Sequence, residues 1–351
     1  MVAFLIGTGQ TFHYNLSFER ASVTHRLPPL FLAGPTAVGK SAIAIPLAET
    51  LSGEIISVDS MQVYRGLDIG TAKPSATERE RVFHHLIDVI DVTELFDAAR
   101  FVRLARQAMH EIQARGRVPI FCGGTGLYFK AFLEGLGDAP PAAPMLRAEL
   151  EKMPLAELLK ELERRDPVTF QQIDRQNPRR VVRALEVIRL TGKPFSEQRA
   201  GWKRADRIVP STVDTEPTAF FGVTRSGEDL RARIDIRVNG MFERGLVAET
   251  EQLLALGLAQ NRTAMQAIGY HQVAEYLRGE RSLPETIDLV KLRTRQFAKR
   301  QMTWFRRQAH LEWINLEPED STEEIAARLA RAYAAKRERD LSPLLDRERQ
   351  F

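Results

Sequence analysis

Short apolar runs alternate with helical patterns along the first part of the chain. Leu30–Ala33 is continuously apolar and precedes a glycine-containing loop and a helical pattern over Lys40–Leu51. Residues 54–58 and 117–122 form two further apolar runs, and a 3.6-residue periodicity over Ala98–Ala114 lies between them. Alternation of this kind predicts an α/β domain in which a parallel sheet carries helices on both faces.

The pattern changes after residue 138. Proline and alanine dominate residues 139–144, and residues 145–190 show only helical periodicity with many charges. A strand over residues 218–223 returns the chain to the sheet, and the segment after it is mostly helical. The predicted organisation is an α/β core with a helical C-terminal part at residues 27–138 and 213–316, an inserted all-helical subdomain at 139–212, and a helical tail at 317–351.

Composition and cysteine usage narrow the class of protein. An apolar fraction of 44% with 27% charge is ordinary for a soluble globular protein. The single cysteine, Cys122, allows no internal disulfide and favours a reducing compartment, so we expect a cytoplasmic protein. No apolar run reaches the roughly 18–20 residues of a membrane span. Residues 1–26 lack the features of a secretory signal and are predicted to be a disordered extension or an over-long start, with a transit peptide as the weaker alternative.

A phosphate-binding motif follows the first predicted strand. The motif consists of a glycine, any four residues and then Gly-Lys-Ser, and it lies between a predicted strand and a predicted helix. Loop N–H groups and the helix N-terminus attract phosphate oxygens, Lys40 adds a full charge, and Ser41 can reach a Mg²⁺ ion. The motif predicts a P-loop NTPase-like fold that binds a diphosphate- or triphosphate-bearing small molecule through Gly34, Pro35, Thr36, Ala37, Val38, Gly39, Lys40 and Ser41.

Two polar residues are predicted at the same edge of the sheet as this loop. Asp59 ends the strand over residues 54–58, and Thr125 follows Gly123 and Gly124 after the strand over residues 117–122. The carboxyl ends of parallel strands share one edge, so both side chains can face the reacting atoms. An outer-sphere Mg²⁺ contact or a helix cap is the alternative for Asp59, and a helix cap is the alternative for Thr125.

Basic residues are concentrated in two distant stretches. Residues 291–307 contain seven lysines and arginines, no acidic residue, and interleaved Phe297, Trp304 and Phe305. Clustered cations gain affinity for phosphate backbones by releasing counterions, and aromatic rings stack on unpaired bases. A second cluster occupies residues 175–180. The two stretches predict a cleft that holds a nucleic acid above the phosphate loop, although a solvated helix with its aromatic rings on the core is the alternative for the first.

Together these motifs resemble the bacterial tRNA dimethylallyltransferase family, also called tRNA isopentenyltransferases. The resemblance covers about residues 29–316. It lies in GPTAVGKS (34–41), DSMQVYRGLDIGTAKP (59–74), HHLID (84–88), GGTGLY (123–128), QNPRR (176–180), RIDIRVNGMFERGLVAE (233–249), MQAIGY (265–270) and KRQMTWFR (299–306).

The resemblance implies a reaction. The dimethylallyl group of dimethylallyl diphosphate moves to the exocyclic amino nitrogen of adenosine 37, next to the anticodon, in tRNAs that read codons starting with U. The products are N6-dimethylallyladenosine and diphosphate. ATP is then not the substrate, despite the nucleotide-binding appearance of the loop.

The resemblance also implies roles for particular residues. Asp59 is the general base, Thr125 and Arg233 bind the diphosphate as further catalytic residues, and Mg²⁺ is the cofactor with Ser41 as its ligand. The partner is the tRNA anticodon stem-loop, and the protein is a monomer. The implied tRNA contacts are Asp59, Ser60, Met61, Gln62, Thr125, Arg147, Gln176, Asn177, Pro178, Arg179, Arg180, Met265, Gln266, Ala267, Ile268, Gly269, Tyr270, Lys299, Arg300, Gln301, Met302, Thr303, Trp304, Phe305 and Arg306.

Three other functions stay open from the residues alone. A small-molecule kinase shares the phosphate loop and the carboxylate, but it does not account for the basic aromatic stretch. An adenylate isopentenyltransferase that makes a free cytokinin needs no tRNA surface. A non-catalytic nucleic-acid-binding NTPase module would tolerate the loss of Asp59.

Overall fold

A single parallel sheet organises the chain. The computed structural model describes residues 26–137, 139–198 and 219–348, with side chains up to residue 339. Within these residues the strands are β1 (Leu30–Ala33), β2 (Gly53–Val58), β3 (His84–His85), β4 (Val118–Gly123), β5 (Ala219–Thr224) and β6 (Glu312–Asn315). Their order is β3-β2-β4-β1-β5-β6, and every pair is parallel. The predicted α/β class is confirmed.

Helices fill the connections between the strands. Their bounds are α1 (Lys40–Leu51), α2 (Ala76–Arg81), α3 (Ala98–Ala114), α4 (Gly126–Glu134), α5 (Pro144–Lys152), α6 (Leu155–Arg165), α7 (Pro167–Gln172), α8 (Pro178–Thr191), α9 (Phe195–Gln198), α10 (Gly227–Glu243), α11 (Leu246–Ala255), α12 (Tyr270–Leu277), α13 (Leu283–Gln308) and α14 (Thr322–Glu348). No helix in the described ranges is both long and apolar enough to cross a membrane.

The sheet separates two hydrophobic cores. Successive side chains of β1 point to opposite faces, so Phe31 packs among the aromatic rings of one core while Leu30 and Leu32 pack into the other. The rings of Phe31 and Phe121 stack with centroids 4.8 Å apart. The second core contains the apolar face of α1 and is covered by α14. Burial on both faces explains why β1 consists of apolar residues only.

Helices α5 to α9 pack around a core of their own. Leu150, Leu162 and Leu185 are among its buried residues. Glu186 of α8 is fully buried, and its carboxylate accepts hydrogen bonds from the Ala143 N–H at 2.8 Å and the Arg147 guanidinium at 2.6 Å. These bonds hold the segment that enters the helical group against α8. The predicted end of the insertion, near residue 212, lies outside the described residues, as do residues 1–25.

Candidate active site

A cleft of about 860 Å³ opens at the carboxyl edge of the sheet. The loops after β1, β2 and β4 form its floor, and helices α10 and α13 form one wall. Pockets of α/β proteins lie at this edge, where neighbouring strands connect in opposite directions. The lining includes Thr36, Gly39, Lys40, Ser41, Asp59, Ser60, Met61, Gln62, Thr125, Arg233, Arg237, Gln266, Ile268, Phe297, Arg300 and Gln301.

The phosphate loop after β1 has the backbone shape that its glycines permit. Gly39 has a φ angle of 111°, a backbone conformation that residues other than glycine rarely adopt. A Cβ on Gly34 would lie 2.6 Å from the carbonyl oxygen of Val223, so this glycine permits close approach to β5. Three carbonyl oxygens of the loop accept hydrogen bonds from cationic side chains. Lys40 donates to Pro35 at 2.7 Å, Arg233 donates to Ala37 at 3.1 Å, and Arg225 donates to Val38 at 2.9 Å.

Lys40 at the end of this loop has an unusual proton affinity. Burial lowers the pKa of its ammonium group to about 8, and the charge of Arg237 acts in the same direction. The carboxylate of Asp59 opposes this shift. Lys40 is therefore a cation whose charge depends on pH in the range where enzymes are assayed.

Binding of an anionic substrate to the free protein is expected to take up a proton near Lys40. Below about pH 8 the ammonium group is charged and attracts phosphate, and above it the charge is lost. A bound diphosphate stabilises the charged form and raises the pKa, so binding at about pH 9 consumes up to roughly one proton. Calorimetry with dimethylallyl diphosphate in buffers of different ionisation enthalpy measures this number. Lys40→Met should abolish the uptake, and an unchanged uptake in that variant would contradict the assignment.

Asp59 lies directly after β2 and divides its oxygens between two environments. Its Oδ1 accepts the N–H groups of Met61 at 2.8 Å and Gln62 at 3.2 Å, which fixes the carboxylate. Its Oδ2 has no hydrogen-bond partner within the described ranges, and the residue lines the cleft. One oxygen therefore caps the following turn, which is not a helix, while the other is available to a reactant.

Thr125 immediately precedes helix α4, and its side chain does not cap the helix. The side chain makes no capping hydrogen bond, and its backbone N–H donates to the carbonyl of Val58 at 3.2 Å. The half-buried residue lines the same cleft as the phosphate loop. The capping alternative for Thr125 is not realised, and its hydroxyl is free to bind a phosphate oxygen.

Helix α10 contributes two arginines to the cleft. Arg233 and Arg237 are four residues apart and so lie on the same face of the helix. Burial lowers the pKa of Arg237, and the charge of Asp59 opposes this shift, which places the two groups within electrostatic reach. An arginine nevertheless stays charged at neutral pH. Sequence reasoning missed Arg237, although its spacing from Arg233 was a usable signal.

The residues with an implied tRNA role divide by exposure. Lys299, Arg300, Thr303 and Arg306 are exposed on α13, Gln176, Pro178, Arg179 and Arg180 are exposed at the start of α8, and Gln266 is exposed beside the cleft. Half-buried positions are Ser60, Met61, Gln62, Arg147, Asn177, Met265, Ile268, Met302 and Trp304. Asn177 caps α8 by accepting the N–H of Arg180.

Five residues of this implied set are buried. The side chains of Tyr270 and Phe305 are fully buried, and those of Ala267 and Gln301 are nearly so, although the latter two line the cleft. Gly269 is buried as well. Phe305 packs against Phe129 with ring centroids 6.0 Å apart. The tRNA role of these five residues stays a prediction.

Tyr270 holds a loop that forms part of the cleft. Its hydroxyl donates to the carboxylate of Glu249 at 2.5 Å and accepts the N–H of Gly70 at 3.0 Å. The carboxylate also accepts the N–H of Ile69 at 3.0 Å. Burial raises the pKa of Tyr270, and the negative charge of Glu249 adds to this effect, so the hydroxyl remains a donor.

Replacing Tyr270 with phenylalanine is expected to destabilise the protein by about 1–3 kcal/mol, because the N–H of half-buried Gly70 and the carboxylate of Glu249 each lose a partner. Denaturant unfolding of Tyr270→Phe and of the wild type measures the difference. Tyr276→Phe, on the same helix, is a control for the loss of a hydroxyl. Equal stability of Tyr270→Phe and the wild type would show that the network contributes nothing.

A phosphate loop after β1, a carboxylate after β2 and a basic cleft above them define a P-loop-like α/β protein that handles phosphorylated substrates. The sequence profile of the family described as IPP transferase matches residues 62–308. The chain belongs to this family, as its sequence predicted.

Named relatives agree with this membership. The tRNA dimethylallyltransferase 1 of Trichlorobacter lovleyi is 45% identical over 296 residues, which are 83% of this chain and 94% of that protein. The tRNA dimethylallyltransferase 2 of Geotalea daltonii is 41% identical over 290 residues, which are 81% of this chain and 86% of that protein.

Two solved structures share the fold. The full-length tRNA isopentenylpyrophosphate transferase of Bacillus halodurans aligns with a TM-score of 0.63 at 38% identity, over 89% of this chain and 98% of that one. A eukaryotic dimethylallyltransferase captured acting on tRNA aligns with a TM-score of 0.66 at 30% identity, over 82% of this chain and 74% of that one.

Proposed function

We propose that this chain is a tRNA dimethylallyltransferase. It transfers the dimethylallyl group of dimethylallyl diphosphate to the exocyclic amino nitrogen of adenosine 37 in tRNAs that read codons starting with U. The observation that carries the proposal is the shared cleft, in which the free oxygen of Asp59 faces the same space as the phosphate loop, Thr125 and two arginines. The names of the family and of the relatives support the same reaction.

Asp59 acts as the general base. The lone pair of an adenine amino group is delocalised into the ring, so the nitrogen attacks well only if its proton leaves as the new bond forms. The bond between the amino nitrogen and the first allylic carbon forms, the bond from that carbon to the diphosphate oxygen breaks, and the proton passes to Oδ2 of Asp59. The two N–H groups on Oδ1 keep the carboxylate oriented.

The phosphate loop and the arginines beside it stabilise the leaving diphosphate. Negative charge grows on the bridging oxygen as the allylic bond breaks, and fixed donors at that point lower the barrier. Lys40, Arg233 and Arg237 supply positive charge, and the Thr125 hydroxyl and the loop N–H groups supply hydrogen bonds. These groups lie on rigid elements, so little reorganisation is needed during the reaction.

The donor set suits Mg²⁺ held jointly with the substrate. Mg²⁺ prefers oxygen ligands and usually binds through one or two protein groups plus phosphates and waters. Ser41 offers a hydroxyl at the phosphate loop, and the described residues contain no group of three or more His, Cys, Asp or Glu that could hold a metal alone. Ser41 would therefore hold the ion with the diphosphate oxygens, and the ion would neutralise charge on the leaving group.

The tRNA lies across α13 and the helical group α5 to α9. Lys299, Arg300 and Arg306 on α13 are exposed, as are Arg179 and Arg180 on α8. Phe297 at the cleft offers an exposed ring for stacking on a base. Nucleotides of an anticodon loop are unpaired, so turning one into the cleft costs little. We also propose that the protein acts as a monomer in the cytoplasm.

Label transfer tests the function. The protein is incubated with Mg²⁺, radiolabelled dimethylallyl diphosphate and unmodified tRNA, in parallel with AMP and, separately, with ATP and small acceptors. Label is expected in tRNA only, on an adenosine next to the anticodon. Label in AMP would identify a free-nucleotide prenyltransferase, and turnover of ATP without prenyl transfer would identify a kinase.

Removing three exposed cations from α13 is expected to weaken tRNA binding by about 10- to 100-fold at moderate salt. The triple variant Lys299→Ala, Arg300→Ala, Arg306→Ala loses three phosphate contacts, so the slope of log affinity against log salt should fall by roughly 2–3. Filter binding at several salt concentrations gives both numbers.

A matched control removes the same charge elsewhere. Arg328, Arg331 and Arg337 are exposed on α14, and no residue of that helix lines the cleft. Their triple alanine variant should bind tRNA within about twofold of the wild type. Equal losses in the two triple variants would mean that only the net charge matters.

A further inference from the structure

A buried amide joins three parts of the cleft that are far apart in sequence. Gln301 of α13 accepts the backbone N–H of Thr36 at 2.8 Å and donates to the carbonyl of Gly124 at 2.9 Å. Thr36 belongs to the phosphate loop, and Gly124 belongs to the turn that carries Thr125. The oxygen and the nitrogen of one amide group are therefore hydrogen-bonded to two different loops of the proposed diphosphate site.

The turn is shaped to receive this helix. A Cβ on Gly124 would lie 2.4 Å from Nε2 of Gln301, so any larger residue there would displace the amide. One turn further along α13, the ring of Trp304 lies 2.2 Å from the Cβ position of Gly126. The second and fourth residues of the GGTGLY segment thus lack side chains where α13 approaches.

Neighbouring residues of α13 face the other way. Lys299 and Arg300 are exposed, whereas Gln301 is only 8% exposed. The helix consequently presents cations to solvent and an amide to the diphosphate loop. The carbonyl oxygen and the NH₂ group of the amide each already have one partner inside the protein.

We propose that Gln301 is a positioning residue that sets the distance between the phosphate loop and the Thr125 turn and ties both to helix α13. The inference rests on the proposed function only for the identity of the substrates. A shift of α13 on tRNA binding then changes the diphosphate site. By linkage, bound diphosphate changes the affinity for tRNA by the same factor.

The test measures two affinities in a variant of nearly equal volume. Gln301→Met keeps the packing and loses both hydrogen bonds, which leaves a buried N–H and a buried carbonyl without partners. Calorimetry with inorganic diphosphate and Mg²⁺ is expected to show a Kd raised about 10- to 100-fold. The Kd for tRNA alone should stay within about twofold, and the KM for dimethylallyl diphosphate should rise while that for tRNA does not.

Gln198→Met is the matched control. Gln198 is 9% exposed and donates to Thr191, Lys193 and Pro194 inside the helical group, away from the cleft. This variant should lose stability without a change in diphosphate affinity. A similar loss of diphosphate affinity in both variants would show a general effect of destabilisation and overturn the proposal.

Other outcomes also decide. A raised Kd for tRNA with unchanged diphosphate affinity would identify Gln301 as a direct RNA contact and overturn the proposal. Unchanged affinities for both ligands would show that Gln301 has no positioning role. If Gln301→Met does not fold, Gln301→Asn replaces it, since its uncharged amide is one methylene shorter and can reach only one of the two loops. That variant should show a smaller loss of diphosphate affinity. Wild-type protein that binds diphosphate but does not prenylate tRNA would contradict the proposed function alone.

Discussion

Asp59→Asn is expected to lower kcat by about 10² to 10⁴-fold. The asparagine oxygen can still accept the N–H groups of Met61 and Gln62, so the turn after β2 keeps its anchor. What the variant loses is the second carboxylate oxygen, to which the proposed mechanism assigns the proton of the adenine amine. Affinity for dimethylallyl diphosphate should change little, because the phosphate loop is intact.

Single-turnover prenylation of tRNA measures this loss without interference from product release. Asp59→Ala serves as the comparison, because it removes both the base and the anchor. If the base is what matters, the two variants are similarly slow, and Asp59→Ala is also less stable. An Asp59→Asn protein with wild-type kcat would transfer the role of base to another group and leave Asp59 as a cap.

Arg237→Gln is expected to lower kcat by about 10² to 10³-fold, on the scale measured for removal of one fixed charge-stabilising donor. Arg237 lies deeper in the cleft than the exposed Arg233, and attraction between charges strengthens where water is excluded. Arg233→Gln should therefore cost less, about 10-fold. Steady-state kcat and KM for both variants provide the comparison.

The difference between the two arginines is the informative quantity. Both are on α10 and both lose one charge as glutamine, so effects on net charge are equal. A larger loss in Arg233→Gln would place the developing charge near Ala37 of the phosphate loop, where Arg233 now donates. Equal losses would show that burial does not decide their contributions.

The main strands could be predicted because they are buried on both faces. Residues 30–33 and 118–122 show continuous apolar runs, and both lie in central strands. The two edge strands were missed because they lack this burial on both faces. β3 has only two residues, both half-buried, and β6 has one buried position in four, so neither produces an apolar run.

Local motifs predicted the part of the cleft that lies at strand ends. Asp59, Thr125 and the phosphate loop line the same cleft because parallel strands end at one edge. Gln301 could not be placed this way, since its partner Thr36 is 265 positions away. An amide in a basic helix has the same sequence pattern whether it faces RNA or the core. Only the packing of α13 distinguishes these cases.

Helix α14 connects the tail of the chain to the diphosphate site. Its buried Leu329 and Tyr333 share a core with Ile43 of α1, the helix that begins at Lys40. The Tyr333 hydroxyl also donates to the carbonyl of Pro28, just before β1, at 2.7 Å. Detaching this helix should therefore loosen the support of the loop as well, and we expect the tail and the loop to exchange hydrogen as one cooperative unit. A substrate that stabilises the loop should then also protect a helix that it never touches.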